Sequence, residues 1–171
     1  MSRQSPIPKS WSWKYSWHNI LYGAAIYTAG DTAAALLLGE FQWSRLLGLA
    51  FVGATFYAFE IPNYFRWIER KAGGRRGLGA AVHKTLLAML YFNPLWIARH
   101  LFFIELFSGQ SEGVGWGLLR IALFSFLVNI PLSLLGNYII QNVIRLDWRF
   151  IASAIFSALM AVYYAVSRVV F

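Results

Sequence analysis

The sequence predicts an all-α membrane protein, and three observations predict it: runs of about twenty mostly apolar residues, positive charge gathered on alternate connections, and tryptophans near the run ends. A run of that length crosses a hydrocarbon core of about 30 Å at about 1.5 Å per helical residue. Five runs are read, at about 18–38, 46–65, 86–107, 121–144 and 150–170, folding as one bundle and one domain over residues 1–171. Strict alternation places the N-terminus, connection 66–84 and turn 145–149 on one side. Eleven of the fifteen Lys and Arg residues lie there, and only Arg45, Arg120 and Arg168 lie opposite. The positive-inside rule makes the basic side, with the N-terminus, the cytoplasmic type. Arg99 falls inside the third run.

Residues 1–17 carry Pro6, Pro8, Trp11, Trp13 and Trp17 without a continuous apolar stretch, and are read as an interfacial arm rather than a cleaved leader. The first run has Ala25, Ala29 and Ala33 at helical spacing, with Asp31 about two thirds of the way across. The second begins after Trp43 and ends before Trp67; it holds Ala50, Ala54 and Ala58, then Glu60 and Pro62. Small residues at such spacing let helices approach closely in lipid, where water does not drive them together. Connection 72–81 is glycine-rich but lacks the strand and the Lys-Ser or Lys-Thr ending of a phosphate-binding loop.

The third run carries Asn93, Pro94, Arg99, His100 and Glu105, and a glycine-rich connection, 108–117, follows it. The fourth carries Asn129, Pro131, Asn137 and Gln141. The fifth repeats Ser153, Ser157, Ala161 and Ala165.

Polar residues inside such runs are costly, so each is expected to face the bundle interior, a partner or water. Counted from the basic side, Glu60, Asn93 and Asn137 fall at similar depth, about one and a half to two turns in, and Gln141 shares a face with Asn137. Helix breaks are expected at Pro62, Pro94 and Pro131, because proline removes a backbone donor and frees carbonyls. Two readings stand: a solute path lined by Glu60, Asn93, Asn137 and Gln141, or a kinked bundle whose polar side chains satisfy those carbonyls. Toward the opposite side, Asp31, Arg99 and His100 form a second group, with Asp31 and Arg99 expected to pair as a lock or gate.

Several function classes are excluded. With no cysteine there is no disulfide, thiolate metal site or thiol nucleophile. His18, His83 and His100 lack the spacing of paired metal ligands, and no serine sits in a nucleophile elbow, so no enzyme, metal or cofactor is expected. The net charge of +8 suits anionic lipid headgroups rather than nucleic acid, because it sits on short connections facing one leaflet.

At these residues the chain resembles two families. Gly30-Asp31, the segment Tyr64-Phe65-Arg66-Trp67-Ile68-Glu69-Arg70, Phe92-Asn93-Pro94, Pro131 with Asn137-Tyr138, and Leu146-Asp147-Trp148-Arg149 with Tyr163 resemble motifs of the twenty-two-kilodalton peroxisomal membrane protein family, which includes mitochondrial Mpv-type proteins. Ala88-Met89 stands where that family has Asp-Gln, and Met160-Ala161 where it has Trp-Asn. Ser44-Arg45-Leu46, Pro62-Asn63-Tyr64-Phe65-Arg66 and the segment from Ala88 to Pro94 are similar to stretches of the bacterial L-alanine exporter family. Both resemblances imply passage of small solutes across a membrane.

The expected function is therefore a channel or transporter for small solutes. The alternatives are a non-catalytic accessory subunit of a larger membrane complex and an amino-acid exporter. The first is compatible with a homo-oligomer. The absence of an Arg- and Ser-rich leader tilts the location toward a bacterial inner membrane over a mitochondrial inner or peroxisomal one.

Overall fold

Ser16 sits in extended backbone and accepts from the Asn19 amide at 3.3 Å, which starts the first helix at Trp17. The computed structural model describes residues 12–110 and 114–170, with side chains described as far as residue 162. Trp11 and the rest of the arm before it, and the side chains of Tyr163, Ala165 and Arg168, lie outside the described residues. Helix α1 (Trp17–Leu38) ends at Gly39, whose φ of 69° is the left-handed conformation that closes helices. Helix α2 (Trp43–Val52), a π turn (Gly53–Tyr57) and α3 (Ala58–Ala72) follow without interruption. Helices α4 (Leu78–Tyr91) and α5 (Pro94–Phe107) meet at a break, and α6 (Trp116–Asn142) leads through a short 3-10 turn (Leu146–Trp148) into α7 (Arg149–Val170). No strand occurs among the described residues.

Among the described residues, four stretches are long and apolar enough to cross a membrane: Trp17–Leu38, Trp43–Ala72, Leu78–Phe107 and Trp116–Asn142. The second and third overrun their expected windows because their charged ends stay helical and bury Glu69 and Lys84.

The three prolines act differently. Only Pro94 marks a break, standing as the first residue of α5 behind Asn93. Both α3 and α6 continue through Pro62 and Pro131, which corrects the expectation of breaks there. The irregularity near Pro62 lies upstream, in the π turn.

That π turn is where α1 crosses. A Cβ on Gly23 would lie 2.2 Å from the Gly53 carbonyl oxygen, and one on Gly53 would lie 2.3 Å from that of Gly23. The two backbones therefore touch, and only glycine fits at either position. Farther along, Gly30 meets Ala158 of α7, where an added Cβ would be 2.5 Å from the alanine methyl. The buried stripe of α1 is thus Gly23, Tyr27, Gly30, Asp31 and Ala34. The expected alanine seam is corrected: Ala25 and Ala29 are exposed, because a residue two places from Gly23 lies about 200° around the helix.

Tyr27, Val52, Tyr57, Ile61, Phe65 and Phe150 form the centre of the core, drawn from α1, the α2–α3 path and α7. Large apolar side chains on the outside, including Leu21, Phe51, Leu90, Val128, Leu135 and Leu159, supply the surface a bilayer requires.

The basic connections gather at one end. Asn142 of α6 donates to the Ala81 carbonyl and to Thr85 Oγ1 of α4, which brings the connections after α3 and α6 together. The chain before α1 joins them. Buried Asn63 accepts from the Lys14 amide at 2.9 Å and donates to its carbonyl at 2.8 Å, and Arg66 donates to the Ser12 carbonyl. Tyr15 donates to the carbonyl of Ala54, within the π turn, where a widened ladder leaves acceptors to satisfy.

Candidate functional site: a polar cavity among the helices

A cavity of about 220 Å³ lies among α1, α5, α6 and α7, with the start of α2 at one end. That volume has room for several waters. Its wall is apolar over most of its area, from side chains such as Leu101, Ile104, Phe126 and Phe156, with uncharged polar groups set into it: Asn129, Ser133 and Asn137 come from one face of α6 at four-residue spacing, and Ser153 and Ser157 from one face of α7. Trp96 and His100 of α5 face them as parallel stacked rings, with centroids 5.7 Å apart. The end near the α1–α2 and α5–α6 connections carries Glu40, Glu105, Ser108 and Gln110, of which Glu40 and Gln110 are exposed.

Several side chains in the wall have hydrogen-bonding capacity to spare, Trp96 and His100 among them. The indole Nε1 of Trp96 is buried and has no partner among the described residues. An indole N–H can only donate, so it requires an acceptor that water or a solute can supply. His100 contacts the Tyr57 hydroxyl at 3.0 Å through Nδ1, which orients the ring and leaves Nε2 available.

Buried charge sits at the exposed end. Arg45 grips Asp31 with two bonds, Nε to Oδ2 at 2.8 Å and Nη2 to Oδ1 at 2.7 Å, and its Nη1 lies 3.7 Å from Glu40. Asp31 and Arg45 are both buried, at 3% and 6% exposure. This corrects two expectations: Arg45 is a helical, buried residue rather than a loop charge, and Asp31 does not pair with Arg99. The connection after α1 is so short that Arg45, in the first turn of α2, folds back level with Asp31.

Arg99 instead holds Glu60 in a fork, with bonds of 3.1 and 2.7 Å, and Tyr91 donates to the same carboxylate at 2.7 Å. This pair bridges α3 and α5 away from the cavity, and its side chains stay about a third exposed, at 34% and 30%. Asn93 is also elsewhere. Its Oδ1 accepts from the Leu95 and Trp96 amides and its Nδ2 donates to the Leu90 carbonyl, so it caps α5 and ties off the end of α4 at the break.

Of the four residues expected to line a path, Asn137 lines the cavity, while Glu60 and Asn93 do not, because each is occupied by the pairing just described. Gln141 lies one turn below Asn137 and is fully buried; its Oε1 accepts from Arg149 at 3.3 Å. Asp31 and His100 of the second group do line the cavity. Asn129, Ser133, Trp96, Arg45, Ser153 and Ser157 were not expected as lining. The four-residue polar spacing from Asn129 through Gln141 was the available signal for α6. The serines of α7 were read as packing residues because their size suits both roles.

Among the described residues no group of three or more His, Asp and Glu is placed to hold a metal. Comparison with known protein families, functionally described proteins and solved structures finds no match. The two family resemblances rest on their quoted motifs.

Proposed function

We propose that the chain is a five-helix membrane protein, with α7 as the fifth span, that moves small polar solutes through the cavity between α1, α5, α6 and α7. The observation that carries this reading is the wall itself. Two asparagines, three serines and an unpartnered indole N–H sit among helices that otherwise present apolar surface. Among the described residues Asn129 and Asn137 donate only to Ser133 and Met160, so their amide oxygens, with the Trp96 N–H, are left for water or a solute in a hydrated path. Along α5 the lining runs from Trp96 to Ser108, about 18 Å at 1.5 Å per residue, more than half of a hydrocarbon core of about 30 Å. The volume suits solutes of a few heavy atoms, including zwitterions the size of an amino acid. The basic end faces the cytoplasm or its equivalent, so the exposed end of the cavity opens on the opposite side.

The test is flux through purified protein in liposomes, over a size series of neutral and zwitterionic solutes. Release above that of empty vesicles, falling as solute size approaches the cavity volume, is the expected result.

A second reading has one specific support. Glu60 and Arg99 lie well inside their spans yet remain about a third exposed, and an ion pair facing lipid gains from being covered by protein. An accessory subunit seated in a larger complex would cover it. Native mass spectrometry in mild detergent separates the readings: a stable hetero-complex favours the subunit, and a monomer or homo-oligomer favours the transporter.

A further inference from the structure

Beneath the cavity, toward the basic end, lies a layer of buried charge contributed by four helices. Glu69 of α3 receives Lys84 of α4 at 3.2 Å and Arg149 of α7 at 2.5 Å, both on Oε1. The same Nη1 of Arg149 reaches Gln141 of α6, and its Nε donates to the Ile144 carbonyl. Glu69, Lys84, Gln141 and Arg149 are at most 8% exposed.

Helical register fixes where this layer sits. Asn137 lines the cavity and Gln141 is one turn nearer the basic end on the same face; Ser153 lines it and Arg149 is one turn nearer that end. On both α6 and α7, the residue below a lining residue therefore belongs to the charged layer.

We propose that this layer is the basic-side gate of the solute path, so that the described arrangement is open to the opposite side and sealed toward the basic one. This rests on the transport reading and deepens it. Two features fit a gate better than a permanent clasp. The layer holds two cations against one carboxylate, so Glu69 is the shared charge partner of both Lys84 and Arg149. Gln141 also keeps a fully buried Nε2 without a partner among the described residues. A buried donor left in that state raises the energy of the closed form and offers a new bond when the layer parts. Parting Glu69 from Arg149 frees α7 from α3, opening the end of the cavity that the layer closes.

The natural chain has no cysteine, so a single introduced thiol reports its own exposure. Ser157→Cys places one in the cavity wall, and Ala29→Cys places one on the lipid-facing side of α1 as a reference. Oriented vesicles are treated with a membrane-impermeant thiol reagent from each side. With Glu69 intact, Ser157→Cys is expected to react only from the side opposite the basic end. Adding Glu69→Gln is expected to raise its reaction from the basic side about tenfold or more, since an unpaired buried cation costs more than the 1.4 kcal/mol that equals tenfold.

Arg149→Lys supplies a second arm if Glu69→Gln does not fold: it retains the charge, loses the bond to Gln141, and is expected to raise basic-side labelling by less. Basic-side labelling with Glu69 intact overturns the gate. So does labelling unchanged in both variants when they fold with wild-type helix content. Either result leaves the transport reading standing. Absence of labelling from both sides removes the aqueous cavity, and the transport reading fails with it.

Discussion

Arg45 and Arg99 show how a charge inside a long apolar helix is settled by its nearest reachable partner. Every ionisable residue in the runs could be picked out by its type, because hydrocarbon makes each one conspicuous. Pairing was less legible, since it depends on which helices become neighbours. Asp31 and Arg45 are only 14 residues apart across a tight connection, whereas Glu60 and Arg99 are 39 apart and meet only once α3 packs against α5. Breaking a buried pair from one side leaves a lone charge, so Arg45→Met is expected to destabilise the protein by about 3–5 kcal/mol. The double variant Asp31→Asn with Arg45→Met should recover most of that loss. Denaturant titration in detergent checks both; equal losses in single and double variants would show that the pair is not mutually compensating. Asn93 belongs to the same scale. Its place beside Pro94 suited a solute site or a cap, and its bonds to Leu95 and Trp96 select the cap. Asn93→Ala is expected to cost about 1 kcal/mol in the same titration, and Asn93→Asp to cost less.

At the scale of elements, helix positions were legible and helix contacts were not. Apolar length and flanking tryptophans located the helices to within a few residues at most ends. Alanine repeats misplaced the seam of α1. Glycine permits a closer approach than alanine, and Gly23 and Gly30 took the crossing points with the π turn and α7. No pattern within one helix announces that, because the constraint lies in the partner backbone. Gly30→Ala is accordingly expected to destabilise by about 1–3 kcal/mol through overpacking against Ala158. Ala29→Leu, one residue away and exposed, should change stability by no more than about 0.5 kcal/mol. Similar losses in both variants would place the α1–α7 contact wrongly.

At the scale of the molecule, the cavity was the least legible feature. It is assembled from short polar side chains on separate helices, and none is diagnostic alone: a serine facing a neighbour packs or lines a path with the same atoms. Four-residue spacing put Gln141 on the face of Asn137, yet only Asn137 lines the cavity, since Gln141 sits one turn lower against Arg149. Depth counting failed for Glu60 and Asn93, because equal depth does not mean a shared interior. The polar spacing of α6, the serines of α7 and the unpartnered Trp96 become one wall only when the bundle closes.

That wall is the central claim, and flux through a filled cavity tests it most directly. Asn137→Leu places an apolar side chain where the wall is polar, while Ala29→Leu adds similar bulk on the lipid side. Reconstituted at equal protein density, wild type and Ala29→Leu should release a small polar solute alike, and Asn137→Leu should release it about tenfold more slowly or worse, as expected when about 1.4 kcal/mol or more is added to passage. Equal release by all three, or none above empty vesicles, would contradict a solute path between α1, α5, α6 and α7.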